Sequence, residues 1–505
     1  MTAEILLVLT IAIPLAGAGL IPAFHDRPNL REAVSLVIAG LLFGVNVALI
    51  PEVTSGGRPV IEVLPFLPGA SLKLAAEPLS LLFGLIASGL WIVTTIYSIG
   101  YMRAHGEENQ TRFYAFFALA LAAAMAVAYA GNLMTLFVAY EALSLSTYPL
   151  VTHAGTEEAR RGGRTYIGIL ISTSIGFFLL AILCTWSVAG TLDFVPGGIL
   201  DGKAGTLTLL GLLALYVFGI AKAGVMPFHR WLPAAMVAPT PVSALLHAVA
   251  VVKAGVFAIL KISVYVFGID LLADMGTSQV FMYVAAATIL PASLVAIRAD
   301  NLKRRLAYST VSQLSYIVLG AMLANSMGVI GGGLHIATHA AGKITLFFCA
   351  GAIMVAAHKT KVSELSGLGR KMPFTFAFFF IGALSIIGLP PTGGMWSKWY
   401  LALATLEAGN YVLLGVLLLS SLLAVGYLMP VVVRGFFGAK PSEGHGGAGA
   451  EIAEGAVPKR ATVIEEAPLP MLIAMAITAV LSIVLFFAPG PVIALIASLF
   501  PEWSL

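Results

Sequence analysis

Apolar runs long enough to cross a bilayer recur along this whole chain, and six ionisable residues lie inside them. Lys222, Lys253, Lys261, Lys343 and Lys398 are five of these; Glu141, in the run 136–151, is the sixth. A lysine at mid-membrane costs roughly 3 kcal/mol on insertion scales. Several together exceed the margin by which a folded protein is stable. These side chains must therefore face the protein interior, pair with one another, or be lined by water. Ionisable groups kept in a membrane at that cost mark ion or proton paths. The pattern predicts a bundle built around a buried proton-conducting line.

Composition excludes several other classes. The 505 residues are 59% hydrophobic and only 10% charged, with a net charge of +4. A soluble domain carries about 25% charged residues. The basic residues are scattered among short loops and form no cluster, so no nucleic acid is expected as a partner. Cys184 and Cys349 lie far apart in apolar spans. They offer no disulfide framework, CxxC or cluster ligand set. Residues 1–24 lack a basic leading region, which predicts a retained first span rather than a cleaved signal peptide.

Runs of about 20 apolar residues predict spans near 3–24, 33–51, 78–102, 112–130, 132–152, 164–189 and 206–226. They continue near 241–267, 279–298, 302–323, 327–357, 374–406, 410–434 and 469–499, an all-α integral membrane protein of about fourteen helices. Charge sets the orientation. With the N-terminus outside, only Arg58, Lys73 and Lys203 of the 28 Lys and Arg fall in outside loops, and five are intramembrane. All the rest fall inside, as the positive-inside rule requires. Both termini are then expected outside, in a bacterial inner membrane.

Prolines interrupt two spans. Lys222 is followed by Pro227, and Gly388-Leu-Pro390-Pro391 precedes Lys398. Proline removes a backbone donor and breaks the helical ladder. Broken backbone at membrane depth persists only where protein or water covers it. Breaks in helices 7 and 12, running in opposite directions, suggest two inverted five-helix repeats with a site near the midplane. The expected organisation is spans 1–3 in 1–110, a first repeat in 111–268 and a second in 269–437. A flexible cytoplasmic connection (438–468) and a last span (469–505) complete it.

Glu141 admits two readings: the charged member of a switching pair with a lysine, or a neutral carboxyl bonded to Ser144 or Thr147. Lys253 lies roughly 18 Å along its helix from the inside face, too deep to reach water easily. Lys261 is read either as an anchor reaching the outer interface or as a relay member, and His247 as an interior polar residue or another relay member. His335, His339 and Lys343 recur every four residues and share one helical stripe. Two histidines so spaced can bind a metal, but a lysine one turn on disfavours a cation and no carboxylate or cysteine completes the set. A proton shuttle suits them better. No metal or cofactor is expected. Lys398 either belongs to the line or caps carbonyls freed by the break. Glu107, Glu108, Glu157 and Glu158 are read as solvated loop acids.

Taken together, these segments resemble the antiporter-like family shared by Mrp-type cation/proton antiporters, respiratory complex I and energy-converting hydrogenases. The matching pieces are Tyr140-Glu141, Lys222 with Pro227-Phe-His-Arg-Trp-Leu-Pro233, and Ala238 to His247. Asn301-Leu-Lys-Arg-Arg-Leu-Ala-Tyr-Ser-Thr-Val-Ser-Gln, His335 to Lys343, and Gly388 to Lys398 complete them. The resemblance implies a Glu141–Lys222 pair that modulates proton uptake, a connecting Lys253, a central histidine segment and a terminal Lys398. Lysine at 398, where one complex I branch carries glutamate, and the absence of a long lateral helix resemble the D-type Mrp branch. That likeness implies a proton-translocating subunit of a hetero-oligomeric antiporter, with protons, a monovalent cation such as sodium, and the lipid bilayer as partners. Within the same fold the alternative is a proton-pumping arm subunit of complex I or a hydrogenase. Outside it stand a quinone or haem enzyme, for which no nucleotide or cluster motif is present, and a passive scaffold.

Overall fold

A computed structural model describes residues 2–67, 70–245, 249–274, 276, 278–438 and 464–500. His247 and residues 439–463 of the expected connection lie outside the described residues.

The first helices are α1 (Ala3–Leu20) and α2 (Pro28–Ala48). After them comes an antiparallel hairpin, β1 (Val60–Leu67) and β2 (Ala70–Ala75), with Val60 opposite Ala75 and Glu62 opposite Lys73. This hairpin corrects the all-α expectation. Its strands, of 8 and 6 residues, are too short to register as spanning runs, and they complete their pairing on a neighbouring loop. Ala75 N–H donates to the Tyr129 carbonyl, and Gly131 N–H to the Lys73 carbonyl, both at 2.8 Å.

Next are α3 (Pro78–Ala104), α4 (Gln110–Ala128), α5 (Leu133–Val151) and α6 (Glu157–Ala189), the last with a π-turn at Ser174–Leu179. Helix α5 starts where the Asn132 side chain accepts from Thr135 N–H at 2.8 Å, a capping bond of the usual kind. Helix α7 (Thr206–Gly219) stops at the first break, and α8 (Val251–Ile262) carries Lys253 and Lys261. Helices α9 (Ser278–Arg298), α10 (Leu302–Met322), α11 (Ser326–Ala357) and α12 (Pro373–Ile387) come after it. The second break separates α12 from α13 (Gly394–Glu407), and α14 (Tyr411–Phe437) comes next.

The expected last span is two helices, α15 (Leu469–Phe487) and α16 (Gly490–Ala497). Pro489, which cannot continue the ladder, stands between them. The expected single span from 241 to 267 is likewise divided: a short helix Thr240–Ala244 precedes α8, and a π-turn over Ser263–Phe267 closes it.

Among the described residues, nine helices are long and apolar enough to cross a membrane. They are not equivalent. The apolar window of α11 is 78% buried within the chain, against 33% for α1, α6, α14 and α15. Helix α11 is therefore the axis, touching α3, α8, α10, α12, α13, α15 and α16. It carries His335, His339 and Lys343. The peripheral helices keep exposed faces of leucine and valine, such as Leu418, Leu422 and Val480, which suits contact with lipid.

Candidate functional site

Each helix break contains a glycine at positive φ and a freed carbonyl capped by a side-chain donor. Helix α7 ends at Gly219, and Ala221–Ala223 form one tight 3-10 turn closed by Gly224 at φ +72°. The backbone groups released there find side-chain partners. Lys222 N–H donates to the Tyr140 hydroxyl at 3.1 Å, the Ala221 carbonyl accepts from Trp231 Nε1 at 2.8 Å, and Met226 N–H reaches Thr288 Oγ1 at 3.2 Å. The second break opens at Gly388, at φ +89°, and the freed Ile387 carbonyl accepts from Lys398 Nζ at 2.9 Å. Trp396 Nε1 donates to the Phe486 carbonyl of α15 at 2.8 Å. The Met226–Pro227 and Pro390–Pro391 bonds are cis.

Lys222 is wholly buried. Its Nζ donates to the Tyr140 carbonyl at 2.8 Å and Ser144 Oγ at 2.5 Å, and sits 3.2 Å from the centroid of the Tyr140 ring. Glu141 is its charged neighbour but stands beyond ion-pair distance among the described contacts. The carboxylate lies near Ser174, in the π-turn of α6, but neither of its oxygens makes a hydrogen bond among the described residues. The expected Glu141–Lys222 pair is thus open. The alternative of a carboxyl held by Ser144 or Thr147 is overturned as well: Ser144 serves Lys222, and Thr147 Oγ1 meets the Tyr166 hydroxyl at 2.6 Å.

The central groups come together. Lys253 Nζ lies 2.8 Å from His339 Nδ1, and the rings of His339 and His335 are 5.7 Å apart. His335 Nδ1 lies 2.8 Å from Ser397 Oγ, one residue from Lys398, and its ring stacks on Tyr316 at 5.5 Å. Lys398, half-buried, lies 5.0 Å from the Tyr316 ring and donates to Ser421 Oγ at 2.9 Å. Its bond to Ile387 means that it also caps the broken helix, so its two readings coexist. Lys343 takes a side branch: Nζ donates to Ser309 Oγ at 2.7 Å, and Ser309 donates to the Tyr427 hydroxyl at 3.2 Å.

Sequence reasoning missed the hydroxyls. Ser144, Ser309, Ser397 and Ser421 each hold a lysine or histidine of the line, and Tyr140 and Tyr316 supply the rings. The sequence offers Ser144 only as a partner of Glu141, and Ser309 and Ser397 lie inside the matching segments, but serine is common on buried helix faces and nothing in spacing singles these out as partners of a lysine or histidine.

Two further expectations are corrected. Lys261 does not reach an interface: it is wholly buried and its Nζ lies 2.6 Å from Glu77 Oε1. Burial is possible because Glu77, just ahead of α3, arrives from a distant part of the chain. Glu107 is not a solvated loop acid. It is half-buried between His105 and His153, at 3.9 and 3.8 Å, and burial holds its carboxyl above the usual range.

Comparison with known proteins identifies the family. The transmembrane family described as NADH:quinone oxidoreductase/Mrp antiporter matches residues 130–424. Subunit N of the NADH-quinone oxidoreductase of Desulforudis audaxviator is 32% identical over 88% of this chain and 89% of its own. The D-type subunit of the Na(+)/H(+) antiporter of Alkalihalophilus pseudofirmus is 27% identical, over 86% and 87%. A chain of the Mrp complex from Dietzia sp. DQ12-45-1b superposes with a TM-score of 0.85 at 25% identity, covering 99% of this chain and 98% of that one. Those relatives are subunits of multi-subunit membrane complexes. This chain is a multi-pass membrane protein that belongs to the NADH:quinone oxidoreductase/Mrp antiporter transmembrane family.

Proposed function

We propose that this chain is the D-type subunit of a multi-subunit monovalent cation/proton antiporter. In this reading it passes protons along Lys222, Lys253, His339, His335 and Lys398, with Lys343 as a branch and Glu141 gating by its charge. The observation that carries it is the buried contact line from Lys253 through His339 and His335 to Ser397, the neighbour of Lys398. Every link is a group that can both accept and donate a proton. The Lys222 to Lys253 step crosses the close packing of the first break on α8.

The finer architecture belongs to the same proposal: fourteen spans, inverted repeats over spans 4–8 and 9–13, and both termini outside a bacterial cytoplasmic membrane. Correspondence between the breaks supports the repeats. Lys222 and Lys398 are each held by one backbone carbonyl and one serine hydroxyl. Each also lies over a tyrosine from the second helix of its repeat, Tyr140 and Tyr316. Near-complete mutual coverage with the Dietzia Mrp chain supports the antiporter assignment. A second reading, a proton-pumping arm subunit of a redox-driven complex, is favoured by the 32% identity to subunit N.

The test is transport in everted vesicles from an antiporter-deficient host expressing the whole operon. We expect a cation-dependent pH change that Lys222→Ala abolishes while the complex still assembles. Normal transport by the variant would overturn the proton line. Pumping driven only by an electron donor would select the second reading.

A further inference from the structure

Helix α8 carries a second buried lysine eight residues beyond Lys253, roughly 12 Å along the axis. Besides its contact with Glu77, Lys261 Nζ donates to the Ala130 carbonyl at 2.7 Å and Ser80 Oγ at 3.3 Å. The rings of Phe194 and Phe257 stand 4.7 and 5.5 Å from it. Glu77 is only 5% exposed. A buried ion pair contributes little net stability, because desolvation offsets its attraction. Holding these segments together would be served as well by apolar side chains.

The pair is also joined to the surface. Lys73 and Asp193 form a part-exposed ion pair at 2.9 Å at the same end of the bundle. The Lys73 carbonyl accepts from Gly131 N–H, next to Ala130, whose carbonyl holds Lys261. Phe194, next to Asp193, donates its N–H to the Gly131 carbonyl at 3.3 Å and lays its ring over Lys261. Three segments thus converge on the buried pair from the face that carries the hairpin.

We propose that Lys261 and Glu77 form a second proton-transfer station, connecting the mid-membrane line to the outer face beneath the hairpin and the 190–200 loop. This rests on the transport reading above. The exchange balances at one proton in and one out. A proton from outer water neutralises the Glu77 carboxylate, and the Lys261 ammonium, its counter-charge gone, releases a proton toward Lys253. The Glu77 carboxyl then passes its proton to the neutral Lys261 amine, restoring the ion pair.

The experiment places Lys261→Arg and Glu77→Gln in the whole operon, with Lys222→Ala beside them, and measures membrane abundance and cation-dependent pH change. Arginine preserves the charge and can pair with Glu77, yet it does not give up its proton. A structural pin would therefore survive this change. We expect both outer variants to assemble and to lose about a hundredfold or more in transport, the lower end of the scale for a removed proton-transfer group. Wild-type transport by either assembled variant overturns the proposal. So does failure of both to assemble, which would assign the pair to folding; if only one assembles, its transport decides. Transport surviving Lys222→Ala would instead break the reading on which the station rests.

Discussion

Lys222, Lys343 and Lys398 are each held by hydroxyls or carbonyls, not by a carboxylate. A neutral partner costs the lysine little when it loses its proton, since a serine can donate to the amine as readily as it accepts from the ammonium. Lys261, bound to Glu77, is the exception. Outside the spans, His153 shows the opposite demand: burial, then the Arg112 guanidinium, pushes its imidazole below the usual range. The unfolded chain takes up that proton first, so stability falls as pH drops below about 6.5. The raised Glu107 carboxyl works the other way, because the folded chain binds its proton first. Between pH 7.5 and 5.5, thermal denaturation of the solubilised chain should show a smaller acid loss in His153→Gln and a larger one in Glu107→Gln. Each difference should be on the order of 1 kcal/mol or less; equal losses in all three would contradict this account. The sequence made the lysines and histidines legible, because a charge inside an apolar run is conspicuous. It hid Glu77, Ser144, Ser397 and Ser421, whose roles depend on which distant helix they face.

At the scale of elements, both breaks depend on a close approach. A side chain at Gly255 of α8 would meet the backbone of Lys222 and Ala223, and one at Gly388 would meet Lys398 Cδ at 2.6 Å. Glycine lets the connecting helix lie directly on the broken turn, which brings Lys222 beside α8. Gly255→Val should displace that turn, costing about 1–3 kcal/mol as overpacking does. Transport should fall severalfold more than membrane abundance. A variant with full transport would show that the turn yields without moving its lysine. Proline and glycine predicted where the helices break. They did not reveal which hydroxyls and indoles would satisfy the released backbone, because those partners come from segments far along the chain, such as Tyr140 of α5 and Thr288 of α9.

For the whole molecule, α11 is the axis and α15 is a strap across it. The strap is fastened at one end by Glu466, whose carboxylate accepts from Phe374 and Thr375 N–H at 2.7 and 3.2 Å, capping α12. Within the membrane region, Thr345 Oγ1 donates to Thr478 Oγ1 at 2.8 Å. Glu466→Ala should lower thermal stability by about 1–2 kcal/mol, the scale of a lost cap, with transport per assembled complex unchanged. An unaltered melting temperature would show that the cap is dispensable. By itself the sequence determined that this chain is a helical membrane protein with ionisable groups in its interior. Apolar run length, loop charge and proline position act locally and are written residue by residue. The docking of the hairpin on the loop after α4, the open Glu141–Lys222 pair and the burial of Lys261 against Glu77 were decided only by the tertiary structure. Each depends on segments far apart in the chain, where packing and desolvation select the partner and no local pattern records it.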